Sequence, residues 1–420
     1  ISIDRSKPKL AKILLTIVIV FNFALLGYFK YYNFFSAELL KFLSMIGFEA
    51  DYTILTKIIL PVGISFFTFQ ISAYTIDVYR KRVKAETNFI DFALFICFFP
   101  QLVAGPIERA EDLLTEIKKE RSITPIEIEK AVWNLLHGFF LKVVVADNLA
   151  PLIDGFYGDR MTYLLNAPTR SPFGIAEVLF NGFAFTVQVY GDFAGYSIIA
   201  LGVSGLLGIP LTRNFIQPFF ATNPGEYWKR WHTTLIRWFT DYLYKPLGGS
   251  RVSKPMHLRN VFIVFAVSGL WHGANWTYII WGVLNGLYVT IYKWLFEDFA
   301  KDKGKWVNIA GVISTVILIS LSMVFFRAYS LNQVIFLFTG ALQSFTSSGI
   351  SSQYELINYI PTVFNIVWPV FVFDALSRFY KDDHWIVNRH LAVKVFVQLH
   401  VFLMIIFKGQ FGKEVIYFAF

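Results

Sequence analysis

The chain has 420 residues, 55% of them hydrophobic and 19% aromatic, but only 16% charged. That leaves too little polar surface for a soluble globule, whose charged fraction is about 25%. The formal charge of +9 resides in Lys and Arg grouped between apolar runs, which reads as a topology signal and not as a nucleic-acid surface. A single cysteine, Cys97, excludes an internal disulfide and a thiolate metal cluster, and its apolar neighbours predict a packed small side chain. Several runs reach the roughly 20 residues a helix needs to span a bilayer core. With no ten-residue alternation to suggest a barrel, the class is an all-α, polytopic membrane protein.

Taken in order, residues 13–29 predict a first span, preceded by Arg5, Lys7, Lys9 and Lys12 and followed by Lys30, with its N-terminal side cytoplasmic. Residue 1 is Ile and no cleavage site follows the basic segment, so the chain is expected to lack its native N-terminal segment. The mixed aromatic stretch 31–53 suits an interface, and 54–74 predicts a span kinked near Pro61 and Gly63. Residues 92–114 are short of a crossing, broken by Pro100, Gly105 and Pro106, and flanked on both sides by basic clusters. They predict a re-entrant hairpin.

A helix opens near SITPIEIEK and carries His137, Lys142 and Asp147 in an apolar run, where pairing, snorkelling and packing are the expected roles. Residues 155–174 read as a loop. The glycine-rich stretch 175–209 predicts two tilted or broken helices joined near Gly191 to Gly195. Further spans are expected at 306–326, 362–379 and 391–407, with an amphipathic piece at 331–345 and a linker at 346–355. No soluble domain fits between the spans, so 1–420 reads as one transmembrane domain.

The most informative stretch is 223–281. Asn223, Pro224 and Glu226 form a helix start signal. At 100° per residue, Trp228, Trp231, His232, Leu235, Trp238, Phe239 and Tyr242 share one face, opposite Lys229, Arg230, Arg237 and Lys245. This predicts one interfacial amphipathic helix with His232 on its apolar side. The cations Lys229, Arg230, Arg237 and Arg251 make a candidate entrance for an anionic acyl donor. From Asn260 to Tyr292 no Asp, Glu, Lys or Arg appears, and SGLWHGAN at 268–275 marks a break that leaves His272 deep in the bilayer. An ionisable group at that depth is a functional-site hypothesis by default. The chemistry that fits is acyl transfer, with His272 as general base taking a proton from an attacking hydroxyl. No GxSxG elbow, P-loop, HExxH or EF-hand spacing is present.

The motifs FFPQLVAGPIER, DFAGYSIIALGVSGLLGIPLTRNFIQPF, EYWKRWHTTLIRWFTDYLYKPLGGSR, SGLWHGANWTYIIWGVLNG and the ending VIYFAF resemble the membrane-bound O-acyltransferase superfamily, and within it the alginate O-acetylation branch. The resemblance runs from the first span to the C-terminus. It implies a ring of tilted and re-entrant helices around a central funnel, with His272 as the catalytic histidine and His232 as the second motif histidine. It further implies a bacterial inner-membrane O-acetyltransferase that moves acetyl groups from cytoplasmic acetyl-CoA, without a metal. The acceptor would be the hydroxyls of an extracytoplasmic polysaccharide, reached directly or through a periplasmic acetyltransferase partner. Ile198 stands where the family usually has Asp after GYS, so no role of that acid carries over. The alternatives are D-alanyl transfer to teichoic acid within the same superfamily, and a transporter or channel built from broken helices.

Overall fold

The computed structural model describes residues 3, 7–48, 58–161, 174–300, 304–343, 351–413 and 415–416, with the side chains of 159–160 and 351–358 excepted. Among these residues the backbone is helical apart from turns and one isolated antiparallel bridge between Phe215 and Trp231. Among the described residues seven helices are long and apolar enough to cross a membrane by length and composition.

The first is α1, Pro8–Met45, which begins with Pro at its first turn and runs 38 residues. It continues well past the predicted end at residue 29, because the aromatic stretch from 31 onward keeps an apolar helical face. The expected kinked span at 54–74 is corrected. Helix α2, Ile64–Tyr79, starts at Gly63, whose φ of +78 needs a residue without a Cβ; residues 51–57 lie outside the described residues. The short α3, Phe89–Ile96, is capped by Asn88 and is followed by turns through 105 and a helical piece at 110–118, so no crossing-length helix forms here. Cys97 is exposed, contrary to the packed position predicted for it, because it lies at the C-terminal end of α3 on its outer side.

Helix α4, Pro125–Gly158, opens with a full capping box between Thr124 and Glu127 and loosens to π geometry over Phe140–Ala146. It therefore extends into the expected loop at 155–174, of which 162–173 fall outside the described residues. It lies against α5, Ile175–Leu206, which is one continuous 32-residue helix and not the expected broken pair. The glycines serve close approach instead of a break. A Cβ on Gly191 would sit 2.9 Å from the Leu141 carbonyl, and one on Gly195 2.9 Å from the Gly138 carbonyl.

Two short helices follow, α6 (Pro224–Arg230) and α7 (Thr233–Phe239). A helical hairpin comes next, made of α8 (Lys254–His272) and α9 (Trp276–Ile291). Gly269 and Gly282 let its arms touch backbone to backbone; a Cβ at either would lie 2.3 Å from a carbonyl oxygen of the other arm. The remaining helices are α10 (Lys305–Arg327), α11 (Leu331–Gln343), α12 (Ser351–Tyr380) and α13 (Leu391–Lys408). They agree with the spans expected there, except that 351–355, read as linker, belongs to α12. A core of aromatic and aliphatic side chains from α2, α4, α5, α7 and α10 closes around the tip of the α8–α9 hairpin.

Candidate active site

His272 is the last residue of α8, 18 residues beyond Lys254 and so about 27 Å along the axis from the basic loop. Gly273 then takes an extended conformation, and Asn275 restarts the chain as the cap of α9 by accepting from the Thr277 amide. Gly273 cannot be replaced lightly, since a Cβ there would fall 2.1 Å from the Tyr278 ring. The imidazole is buried and meets Trp271, Trp281 and Phe326 edge to face at 4.9, 5.0 and 5.4 Å between centroids. The C-terminal carbonyls of α8 have no partner within the helix. Two are satisfied from α1: Tyr31 donates to the Leu270 carbonyl at 2.8 Å, and Lys30 Nζ to that of His272 at 3.2 Å.

His232 is placed differently from the sequence expectation. The predicted single amphipathic helix is divided into α6 and α7, with His232 between them in the left-handed conformation (φ 47, ψ 51). The cause is non-local. Segment 214–216 runs alongside, so that the Ile216 amide donates to the Arg230 carbonyl and the Thr233 amide to the Asn214 carbonyl, both at 2.9 Å. Those bonds replace the helical ones. A non-glycine residue held in this conformation costs of order 1–3 kcal/mol and marks a position fixed by its surroundings.

His232 is only 2% exposed, and its Nδ1 lies 3.0 Å from Asn214 Oδ1. The Thr234 hydroxyl donates to the same Asn214 oxygen at 2.8 Å, while Asn214 Nδ2 donates to Ser197 Oγ at 3.3 Å. With the amide oriented this way, Nδ1 is the donor and a neutral ring carries its lone pair on Nε2. Phe193 meets the ring edge to face at 4.7 Å. Asn214, absent from the sequence reading, is thus the residue that orients His232; its place in the quoted motif LTRNFIQPF was the available signal.

The four cations proposed for an acyl-donor entrance do not form one cluster of equals. Arg230 pairs with Glu226 at 2.6 Å, and Arg237 with Glu111 and Asp112 at 2.9 Å each. Lys229 and Arg251 are exposed. The two histidines, in contrast, are brought to one place, since both rings contact Trp271. Lys142 pairs with Asp147 at 2.8 Å, as expected, and also with Asp192 at 2.6 Å. His137 packs against Trp133.

Two cavities approach the hairpin tip. One of about 600 Å³ reaches Gly273, Asn275 and Tyr278 and is also lined by Asp192, Arg327 and Lys413. The other, narrow, is lined by Lys30, Gly63, Ser65, Trp271 and His272. Among the described residues no group of three or more His, Cys, Asp or Glu could hold a metal.

Membrane-length helices closing around two buried imidazoles define a multi-pass membrane protein with a polar centre inside it. The chain belongs to the membrane-bound O-acyltransferase family, whose model matches residues 11–331, and it is therefore an acyltransferase that uses an acyl donor. It is 36% identical over 366 residues to a probable alginate O-acetylase, AlgI, of Pseudomonas aeruginosa, covering 87% of this chain and 67% of that one. It is 34% identical over 362 residues to a peptidoglycan O-acetyltransferase of Helicobacter pylori, covering 80% and 66%. A teichoic acid D-alanyltransferase of Bacillus subtilis is more distant, 27% identical over 270 residues, covering 60% and 65%. The chain spans about two thirds of the length of each of these relatives.

Proposed function

We propose that this protein transfers an acetyl group from cytoplasmic acetyl-CoA towards hydroxyls of an extracytoplasmic polysaccharide, with His272 as the general base. The reaction would run in the bacterial inner membrane, either directly onto the glycan or through a periplasmic acetyltransferase partner. The observation that carries this reading is the position of His272, buried at a helix break where it lines one narrow cavity while the next residue, Gly273, lines a second, larger one. The acetyltransferase names of the relatives near 35% identity support the acyl group and acceptor class, and the lower identity to the D-alanyltransferase makes that reading secondary.

In this reading the hydroxyl gives its proton to His272 as its oxygen bonds to the acyl carbon. General base action of this kind contributes about 10² to 10⁴ in rate. Orienting donor and acceptor at the hairpin tip supplies a further share. His232 acts beside it as a positioning or acyl-relay residue. The experiment is His272→Ala, with the O-acetyl content of the exported polysaccharide as readout. Loss of acetylation with the protein still in the membrane is expected; acetylation at the wild-type level overturns the assignment.

A further inference from the structure

Residues 13–37 contain one charged side chain, Lys30, and the structure turns it inward. A lysine on a lipid-facing helix ordinarily extends its ammonium to the interface. Lys30 instead lines the same narrow cavity as His272, with its Nζ 3.2 Å from the His272 carbonyl oxygen, 3.4 Å from Ser65 Oγ and 5.6 Å from the centre of the Trp271 ring. These are all neutral partners. Among the described residues no carboxylate lines the cavity. A neutral amide could cap the α8 carbonyl as well as an ammonium does, so the helix end explains a donor there but not a charge. Keeping a cation inside a membrane protein is expensive and marks functional positions.

We infer that Lys30 is a second catalytic group, the cation that receives the negative charge developing on the acyl carbonyl oxygen. The inference rests on the reading of His272 as base. The acceptor oxygen bonds to the acyl carbon while its proton passes to the His272 imidazole, and the carbonyl π pair moves onto oxygen, next to Lys30 Nζ. Re-formation of the carbonyl then breaks the bond to the thioester sulfur, and the departing thiolate takes the proton back from the imidazolium. A donor fixed where charge develops contributes more in a dry site than in water, typically about 10² to 10³ in turnover when removed.

The test uses the full chain in proteoliposomes with labelled acetyl-CoA, comparing Lys30→Gln, Lys30→Met, Lys30→Arg and His272→Ala. The expected result is a fall of about 10² in kcat for Gln and Met, with KM for the donor changed less than about threefold, and at least a tenth of kcat kept by Arg. Because Gln still caps the His272 carbonyl, a purely structural role would leave its kcat intact. Full kcat in Lys30→Gln, or a loss confined to KM, overturns the inference. Should neither neutral variant fold, Lys30→Cys on a Cys97→Ser background is alkylated with 2-bromoethylamine to restore the ammonium, with incorporation verified by mass. Recovery of turnover supports the charge, and its absence after full alkylation overturns it. An inactive His272→Ala beside an active Lys30→Gln would fail this inference alone, whereas an active His272→Ala fails the base reading itself.

Discussion

His232 and His272, 40 positions apart, lie against the same indole: the Trp271 ring is 6.1 Å from the first imidazole and 4.9 Å from the second. One arrives on a strained turn held by segment 214–216, the other at the end of a straight helix. Trp271 also touches Phe66 and Phe69 of α2, so one side chain ties the hairpin tip to the bundle. Its replacement by Ala is expected to lower stability by about 3–5 kcal/mol and to abolish transfer, because both rings lose a wall. Trp271→Phe should keep most of the stability. Thermal unfolding in detergent beside acyl-transfer assays checks both.

The hairpin itself depends on two glycines. A Cβ at Gly282 would lie 2.3 Å from the Phe265 carbonyl, and one at Gly269 equally close to that of Tyr278. Neither obstacle is a flexible side chain, so the arms must separate. Gly282→Ala is expected to cost about 1–3 kcal/mol and to reduce turnover by displacing His272. Gly304→Ala, where space is open but φ is +82, should leave turnover unchanged. Comparing kcat in the two variants tests whether the defect is specific to the hairpin.

Asn214 gives a separate handle on His232. Asn214→Leu removes the acceptor for Nδ1 and for the Thr234 hydroxyl proton, while Thr234 Oγ1 still accepts from the Ile107 amide, at about 1–3 kcal/mol for the buried groups. Asn214→Asp keeps the acceptor. If His232 matters through its orientation, Leu should reduce turnover by at least tenfold and Asp by much less. Equal effects of the two would point to packing.

These positions also show what was legible in the sequence. The break after His272 could be read because Gly273, Ala274 and Asn275 interrupt an uncharged run, and a helix end is a local property. The turn at His232 could not, because 223–245 has good helical periodicity and the competing bonds come from residues 214–216, outside any local window. Helix α5 failed in the opposite way. Its glycines suggest a break only until α4 is seen to pack against them. Lys30 looked like the flank of a short span because the apolar run ends there, while the helix continues to Met45.

Asp241 anchors the segment after α7. It is buried, accepts from Arg109 and Lys245, and its carbonyl accepts from Arg80 at 3.2 Å. Burial alone would raise its pKa, but the hydrogen bonds and charges of Lys245 and Arg109 outweigh it and hold the carboxyl below its ordinary value of 3.8. A depressed carboxylate contributes stability that is complete above the unfolded pKa and is lost as pH falls through the folded one. Wild type should therefore lose this contribution only below about pH 4, and Asp241→Asn should be less stable at pH 7 by about 1 kcal/mol, with a flatter acid limb. Unfolding measured between pH 7 and pH 3 checks the slope.

The last prediction separates the four cations proposed for an acyl-donor entrance. Arg230 and Arg237 already have carboxylate partners, so their charges are largely spent within the protein. Neutralising either should change stability by about 0–1 kcal/mol, as half-exposed ion pairs do, and leave KM for acetyl-CoA near wild type. Lys229 and Arg251 are exposed and carry no ion pair among the described residues, so their fields extend into solvent, where an anionic donor would approach. Lys229→Glu combined with Arg251→Glu is expected to raise KM for acetyl-CoA roughly tenfold at low salt, with kcat little changed, and the effect should shrink as ionic strength rises and screens the charges. A KM shift in Arg237→Gln as large as that of the double variant would mean that the paired arginine opens to meet the donor, and the assignment of the entrance to Lys229 and Arg251 would fall.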